Sequence, residues 1–455
     1  MEVEIDKIFA NSIAQVKRSS SLRRRAGKSS LIIAFALVLG AVVKAQVINL
    51  PVGVPVGTSG AGNARTDADN FFIRNNVAGM TDIPFRNRNR RQDLSAAGQW
   101  RFNGSFQLET FLNRRERILP GPTQGITSET RFGPPVIPAG EITYTRGDRK
   151  FAFGFGAYTI FGFQSKLKDP PTLGPLATFF DTRVASNDFA VGGAMKLHPK
   201  LSVGASFIFG RGFVDLARPN PDLAQLGITR QDRLDVDDIG APGVSVGLFY
   251  RPTARLSFGI NYKTKRKYNL EGGLETFVLV PGPPGVAQVV PLNTSVTLEL
   301  KPPAIAEGGL EVRATDKLRI FSDFRFYDYT ATFQNLIVRA EESGQALVTL
   351  KLDAFDVRSF RTGGLYELNP ATTLQFGWAY TSKGLPDAVF SPGTVNTGGF
   401  DFTGGVIRRV MGDRWLNVGV AIILAQERNI GPPANPLFPG RYGGWGGVLG
   451  IGIRW

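Results

Sequence analysis

The sequence predicts an all-β protein: a closed antiparallel transmembrane β-barrel of about 14 strands, with an amino-terminal hatch segment plugging its lumen. Three observations predict it. After residue 92 apolar residues recur with period two, not 3.6. Connections between the periodic segments alternate between very short and long. The chain ends on an aromatic, Trp455, as in the terminal signal read by barrel assembly machinery, the partner this predicts.

Residues 1–45 read as a leader. Arg23-Arg24-Arg25 and Lys28 precede the apolar run Leu31 to Val43, which closes at Val43-Lys44-Ala45. A positive start, a short apolar run and a small-residue site are the layout of a secretory signal peptide. The run is short for a membrane helix, and Arg25-Ala26-Gly27-Lys28 lacks the apolar pair of a twin-Arg signal, so the general secretion route is expected. Residues 46–91 do not read as strand. Gly57, Gly60 and Gly62 punctuate them, followed by Asp67, Asp69 and the run Asn70 to Met80. The glycines lack the Lys-Ser/Thr ending and the strand–helix setting of a phosphate loop. A segment of about 45 residues ahead of a wide barrel fits as its plug.

Residues 92–455 carry the barrel. Trp100, Phe102 and Phe106 alternate with Gln99, Arg101, Asn103 and Ser105, and Leu256, Phe258, Ile260 and Tyr262 with Ser257, Asn261 and Lys263. Leu374, Phe376, Trp378 and Tyr380 repeat the pattern, as do Trp445, Gly447, Leu449, Ile451, Ile453 and Trp455. Short turns are expected at 146–148, 198–200, 251–253, 314–316, 369–371 and 412–413. Long loops are expected near 107–137, 165–184, 218–240, 271–293, 331–350, 384–397 and 428–442. Six turns and seven loops in alternation give an even strand count with both ends on the periplasmic side, as in bacterial single-chain barrels.

Composition narrows the function. Mean hydropathy is −0.05 over 455 residues, too polar for a bundle of membrane helices but ordinary for a barrel whose two faces average out. The chain has no Cys and one His, so Cys-ligated metal sites and a Ser-His-Asp triad with an obvious base are excluded, and neither enzyme activity, metal nor cofactor is expected. Net charge is +15. Eight basic and three acidic residues of that lie in the leader, leaving +10. The remaining cations are scattered rather than gathered in a nucleic-acid footprint. Asp323 and Asp328 are expected to pair with Arg319 or Arg325 rather than act as a carboxylate dyad.

Gly60-x-Gly62-x-Ala64, an acidic patch, and Asn76-Val77-Ala78-Gly79-Met80 resemble the hatch of the FadL/TodX outer-membrane transporters, with Val77 where the family carries Pro. Phe161-Gly162-Phe163, Lys200 to Gly204, Arg255 to Gly259, Leu298 to Pro303 and Ala379 to Pro386 extend the resemblance over most of residues 50–455. It implies a 14-stranded barrel, monomeric, that takes up long-chain fatty acids or aromatic hydrocarbons passively. Outer loops capture the ligand, which leaves through a gap in the wall near a kinked third strand. Lipid and lipopolysaccharide would surround it.

An apolar path needs apolar lining. The expected candidates are Phe161 and Phe163, read as loop, with Leu167, Leu173, Leu176, Phe179 and Phe180. A fatty-acid carboxylate needs a cation: Arg211, which aligns with a family strand bearing a ligand-binding Arg, or Lys263, Lys265 and Arg266. A general porin and a structural or adhesive barrel are the alternatives. The plug segment favours the transporter over the porin.

Overall fold

A strand with one greasy and one polar face needs two different media, and in a membrane it also needs every backbone polar group paired. The sheet meets both needs by closing on itself. The computed structural model describes residues 61–65, 70–82, 98–118, 124–132, 136–169, 179–220, 223, 230–281, 287–390, 398–435 and 438–455. The leader, Gly57, Gly60, the acidic pair Asp67 and Asp69, and Leu173 and Leu176 lie outside the described residues.

Among the described residues nineteen strands line up as fourteen staves. In chain order these are β1 (Gln99–Glu116), β2 continued by β3 (Thr127–Phe132, Val136–Thr145), β4 (Phe151–Lys168), β5 (Phe179–His198) and β6 (Leu201–Pro219). Next come β7 (Gln231–Thr253), β8 continued by β9 (Leu256–Lys263, Tyr268–Pro281) and β10 continued by β11 (Ala287–Leu300, Ile305–Arg313). β12 continued by β13 (Leu318–Tyr327, Asn335–Ala340) and β14 continued by β15 (Ala346–Lys351, Val357–Asn369) follow. The last are β16 (Thr372–Thr381), β17 (Gly399–Met411), β18 (Arg414–Ile430) and β19 (Gly440–Arg454). Each stave pairs antiparallel with the next, and β1 pairs with β19 from Asn103–Arg454 to Glu116–Arg441, so the first and last strands leave no open seam between them.

The greasy side faces out. Trp445, Leu449, Ile451, Ile453 and Trp455 are exposed, as are Phe258, Ile260 and Tyr262, while their strand neighbours Ser257 and Asn261 are buried. Trp100 packs on Tyr144 and Phe153, with ring centroids 5.0 and 5.6 Å away, beside the short-turn end. Phe360, Trp378, Phe400 and Tyr380 form a second aromatic group farther along the staves. Two such groups mark the interfacial girdles of a membrane barrel.

Five of the six expected short turns lie where the sequence puts them, and the sixth falls at 254–255 rather than 251–253, because β7 runs on through Thr253. The long loops are shorter than expected, because strand continues into them: β1 runs to Glu116, β7 starts at Gln231, and β13 and β14 pair as a hairpin within 331–350. Segments such as Gln231-Asp232-Arg233-Leu234-Asp235 bear charge on their outer face. Beyond the membrane the outer face meets water, so the one-sided pattern fades while the hydrogen-bonded ladder continues. Phe161 and Phe163 likewise belong to β4 and not to a loop.

Val420 lies near the middle of β18 on its outer face. Val420→Arg is expected to lower stability by about 2–4 kcal/mol, the cost of a cation at the bilayer midplane, as read by urea unfolding in lipid vesicles.

Candidate functional site in the lumen

The lumen has three levels, stacked from the short-turn end to the loop end. At the first, residues 61–65 and 70–82 are buried against inward-facing barrel residues. They form a short helix α1 (Phe72–Asn75) and a 3-10 turn at Val77–Asp82. So little regular structure leaves many backbone groups unpaired, and the barrel supplies the partners. The Gly62 and Asn63 amides donate to Asp323 Oδ2 at 2.6 and 3.1 Å, and the Ile73 amide donates to Glu141 Oε2 at 2.7 Å. Ser257 Oγ donates to the Ala64 carbonyl at 3.0 Å, and Thr145 Oγ1 to the Met80 carbonyl at 3.1 Å. Lys196 closes the segment with a 2.9 Å ion pair to Asp82. Asn76 is the hub: its Nδ2 donates to the carbonyls of Asn63 and Leu248, both at 3.0 Å, and its Oδ1 accepts from the Ala78 amide.

Glycines on the wall permit this approach. A Cβ on Gly259 would fall 1.9 Å from the Asn63 carbonyl oxygen, and one on Gly247 2.2 Å from Asn76 Oδ1. Both glycines alternate with the outward apolar residues of β7 and β8, a position read in the sequence as wet lumen. Val77 is buried with Phe72, Ile73 and Met80 against Ala190, Ala194 and Ile208.

The second level is charged. Lys263 Nζ and Arg325 Nε lie 2.8 and 2.9 Å from the two oxygens of Glu307. Arg266 Nη2 lies 2.7 Å from Asp188, with Tyr268 beside both. Such buried ions persist because each has a partner. Arg74, on α1, enters this level from below. Burial, and next the neighbouring Arg325, lower its guanidinium to about 10, so it stays charged at neutral pH.

The third level is apolar. Val214, Leu234, Leu270, Val296, Leu298 and Leu336 lead a continuous buried cluster at the loop end. Leu385, from the segment after β16, joins it. Arg428 holds that segment by donating to the Leu385 carbonyl at 2.9 Å and pairing with Asp387.

The wall opens at the third stave. β3 and β4 pair only from Thr145–Ala152 to Gly140–Ala157. Past Ala157, β4 carries a bulge between Thr159 and Phe161 and stays with β5 alone up to Lys168. Among the described residues no ladder joins Tyr158–Lys168 to β2 or β3.

The sequence-based candidates separate. Leu167 and Phe180 are paired neighbours and both buried, Phe179 sits beside them, and Phe161 and Phe163 lie in the unpaired stretch of β4, their side chains outside the described residues. Gly62, Asn76, Val77 and Ala78 all lie in the buried segment. Lys263 and Arg266 face the lumen, but Lys265 points outward. Period two puts Lys263 and Lys265 on one face. The break between β8 and β9 shifts the alternation, turning Arg266 in and Lys265 out. Arg211 is also exposed, on the outward face with Phe207 and Phe209, and pairs with Asp237 at 2.7 Å. Asp323 does meet Arg325, at 3.8 Å, yet its close partners are Gly62 and Asn63. Asp328 instead accepts the Ala331 amide. Sequence reading missed Asp188 and Glu307. Their signal was a charge at an inward position far from any turn.

The sequence matches the family described as Outer membrane protein transport protein (OMPP1/FadL/TodX) over residues 52–392. The chain belongs to the OMPP1/FadL/TodX family. Solved structures share its fold. A FadL homologue from Pseudomonas aeruginosa superposes with TM-score 0.68 at 16% identity, covering 89% of this chain and 98% of that one. The toluene transporter TodX of Pseudomonas putida gives 0.66 at 16%, covering 90% and 99%. The toluene transporter TbuX of Ralstonia pickettii gives 0.61 at 17%, covering 90% and 100%. No curated protein sequence matches. As a FadL/TodX member the chain is an outer-membrane transport barrel.

Gly259→Ala places a methyl where the Asn63 carbonyl lies. It is expected to dislodge the buried segment and raise sugar permeation in a liposome-swelling assay, with the barrel still folded by heat-modifiable gel migration.

Proposed function

We propose that the protein is a passive outer-membrane channel for hydrophobic small molecules, of the class of aromatic hydrocarbons or long-chain fatty acids. The observation that carries this is the layering of the lumen: an apolar cluster at the loop end above a charged level and a buried stopper. An open polar porin would keep its axis free. Here the axis at the short-turn end is occupied, so a solute held by the apolar level needs another way out, and the unpaired edge of β4 supports sideways release. Each CH₂ moved from water into such a lining gains about 0.8 kcal/mol, enough to draw dilute hydrocarbon past a lipopolysaccharide leaflet.

In this reading residues 46–91 are the hatch, residues 1–45 are a signal peptide removed on export, and the channel works as a monomer within lipid and lipopolysaccharide. Leu167, Phe179 and Phe180 flank the path near the gap, with Phe161 and Phe163. Lys263 and Arg266 are committed to Glu307 and Asp188, which favours uncharged solutes over carboxylates. The toluene transporters of like fold support the same choice.

Leu298→Asp puts a charge into the apolar cluster. Uptake of labelled toluene by cells that depend on this channel is expected to fall about tenfold or more, since an unpaired buried carboxylate costs well over 1.4 kcal/mol, while sugar permeation stays low. Sugar swelling by the native protein, without toluene uptake, would support a porin instead.

A further inference from the structure

On its outer surface, one sector of the wall carries three chemistries in a fixed order. Phe209, Ile239, Val244 and Tyr262, on β6, β7 and β8, are exposed and apolar. Next, toward the loop end, comes the break between β8 and β9, where Lys265 and Lys267 both face outward. Lys301 stands at the matching break between β10 and β11, and Glu299 pairs with both Lys267 and Lys301. Three ammonium groups thus share one carboxylate, an excess of two positive charges.

Farther along the same staves the outward face opens into a groove of about 450 Å³. Arg233 and Asp235 of β7, Glu275 of β9, and Asn293, Thr294 and Ser295 of β10 line it. Gly273 makes the room, since a Cβ there would meet no atom within 4 Å. The charges of the groove are uncommitted. Arg233 and Glu275 are cross-strand partners, yet neither they nor Asp235 forms an ion pair or a side-chain hydrogen bond among the described residues. Charges close by differ: Arg211 pairs with Asp237, Arg218 with Asp232 and Arg183 with Asp215. With two carboxylates and one guanidinium the groove repels phosphate. It suits hydroxyl groups, which donate to carboxylates and accept from Arg and Asn. Six residues of β9 separate Lys267 from Gly273, about 20 Å at 3.3 Å per residue, the span of a few sugar rings.

We infer that this sector is a docking site for the head group of an outer-leaflet phosphoglycolipid, lipopolysaccharide. Its acyl chains lie on the apolar band, a phosphate sits on Lys265, Lys267 and Lys301, and core sugars fill the groove. The inference rests on the lipopolysaccharide surroundings of the reading above and gives them a place. Lysines donate to phosphate oxygens as compact point charges, and each cation at an anionic membrane surface adds attraction. A free sugar would use the groove alone, and free phosphate the lysines alone. A molecule bearing phosphate and sugars on acyl chains uses all three.

The test measures binding to the full-length protein in detergent by thermophoresis. The probes are lipopolysaccharide with its core sugars, lipid A without them, phosphatidylglycerol and inorganic phosphate. Native protein, Gly273→Phe and the triple variant Lys265→Gln/Lys267→Gln/Lys301→Gln are compared, each checked for folding by heat-modifiable migration. Native protein is expected to prefer lipopolysaccharide to lipid A, and lipid A to phosphatidylglycerol. The triple variant is expected to weaken lipopolysaccharide and lipid A alike, about tenfold. Gly273→Phe, which fills the groove without meeting the wall, is expected to bring lipopolysaccharide down to the level of lipid A and to leave lipid A unchanged. Native-like binding by both variants, or displacement of lipopolysaccharide by inorganic phosphate, would overturn the assignment. So would native binding of phosphatidylglycerol as tight as that of lipopolysaccharide. Toluene uptake by cells carrying the native protein separates the two readings: its absence, with lipid binding as expected, would overturn the transport reading alone.

Discussion

The rule on which everything else rests is that hydrocarbon offers a backbone nothing to bond. Each N–H and C=O at membrane depth must find its partner inside the protein, and the antiparallel pairing of β1 with β19 completes that circle. Once the sheet is closed, the alternation of side chains is fixed as outside and inside. The apolar set that would make a soluble sandwich's core becomes the lipid surface. What remains for the axis is Gly, Ser, Asn and charge, and these must be satisfied without bulk water. The lumen is accordingly a set of mutual solutions: amides of residues 61–82 bonded to wall carboxylates, guanidiniums bonded to acids, and leucines bonded to nothing, gathered at the end where the loops meet.

That division explains why one mouth is polar and blocked and the other greasy. Asp323 takes two amides from the buried segment and also lies within reach of Arg325, so the stopper and the charged level share a residue. Arg74 reaches the same network from α1. A movement of the segment would disturb the ion pairs above it. The proposed sideways exit at β4 needs no such movement, because among the described residues no ladder ties Tyr158–Lys168 to β2 or β3, and the β4–β5 register shifts between Thr159 and Phe161.

Much of this was legible in the sequence. Period two from Trp100 onward and the Gly-, Pro- and Asp-bearing turns gave the number of staves and their direction. Trp455, Ile453 and Ile451 gave the outward face, and Asn76 to Ala78 the segment that docks inside. What could not be read had three physical causes. The loops were overestimated because strands such as β1 and β7 carry on past the membrane, where the outer face is wet and the contrast between faces disappears. Lys265 could not be told apart from Lys263 and Arg266 because a break such as 264–267 shifts the alternation without any mark in composition. Pro302 and Pro303, on the neighbouring stave, were the available hint, since neither can donate to a ladder. Glycines such as Gly259 read as lumen-facing small residues, and only the contact with Asn63 shows that they make room for another segment.

The central physical claim is the orientation of the faces, and site-directed spin labelling of β18 in lipid vesicles tests it most directly. Labels placed one at a time from 418 to 424 should show accessibility to dissolved oxygen that peaks at 420, 422 and 424 and drops at 419, 421 and 423. Peaks at 419, 421 and 423, or a period near 3.6 residues, would contradict a barrel that is greasy outside and polar within.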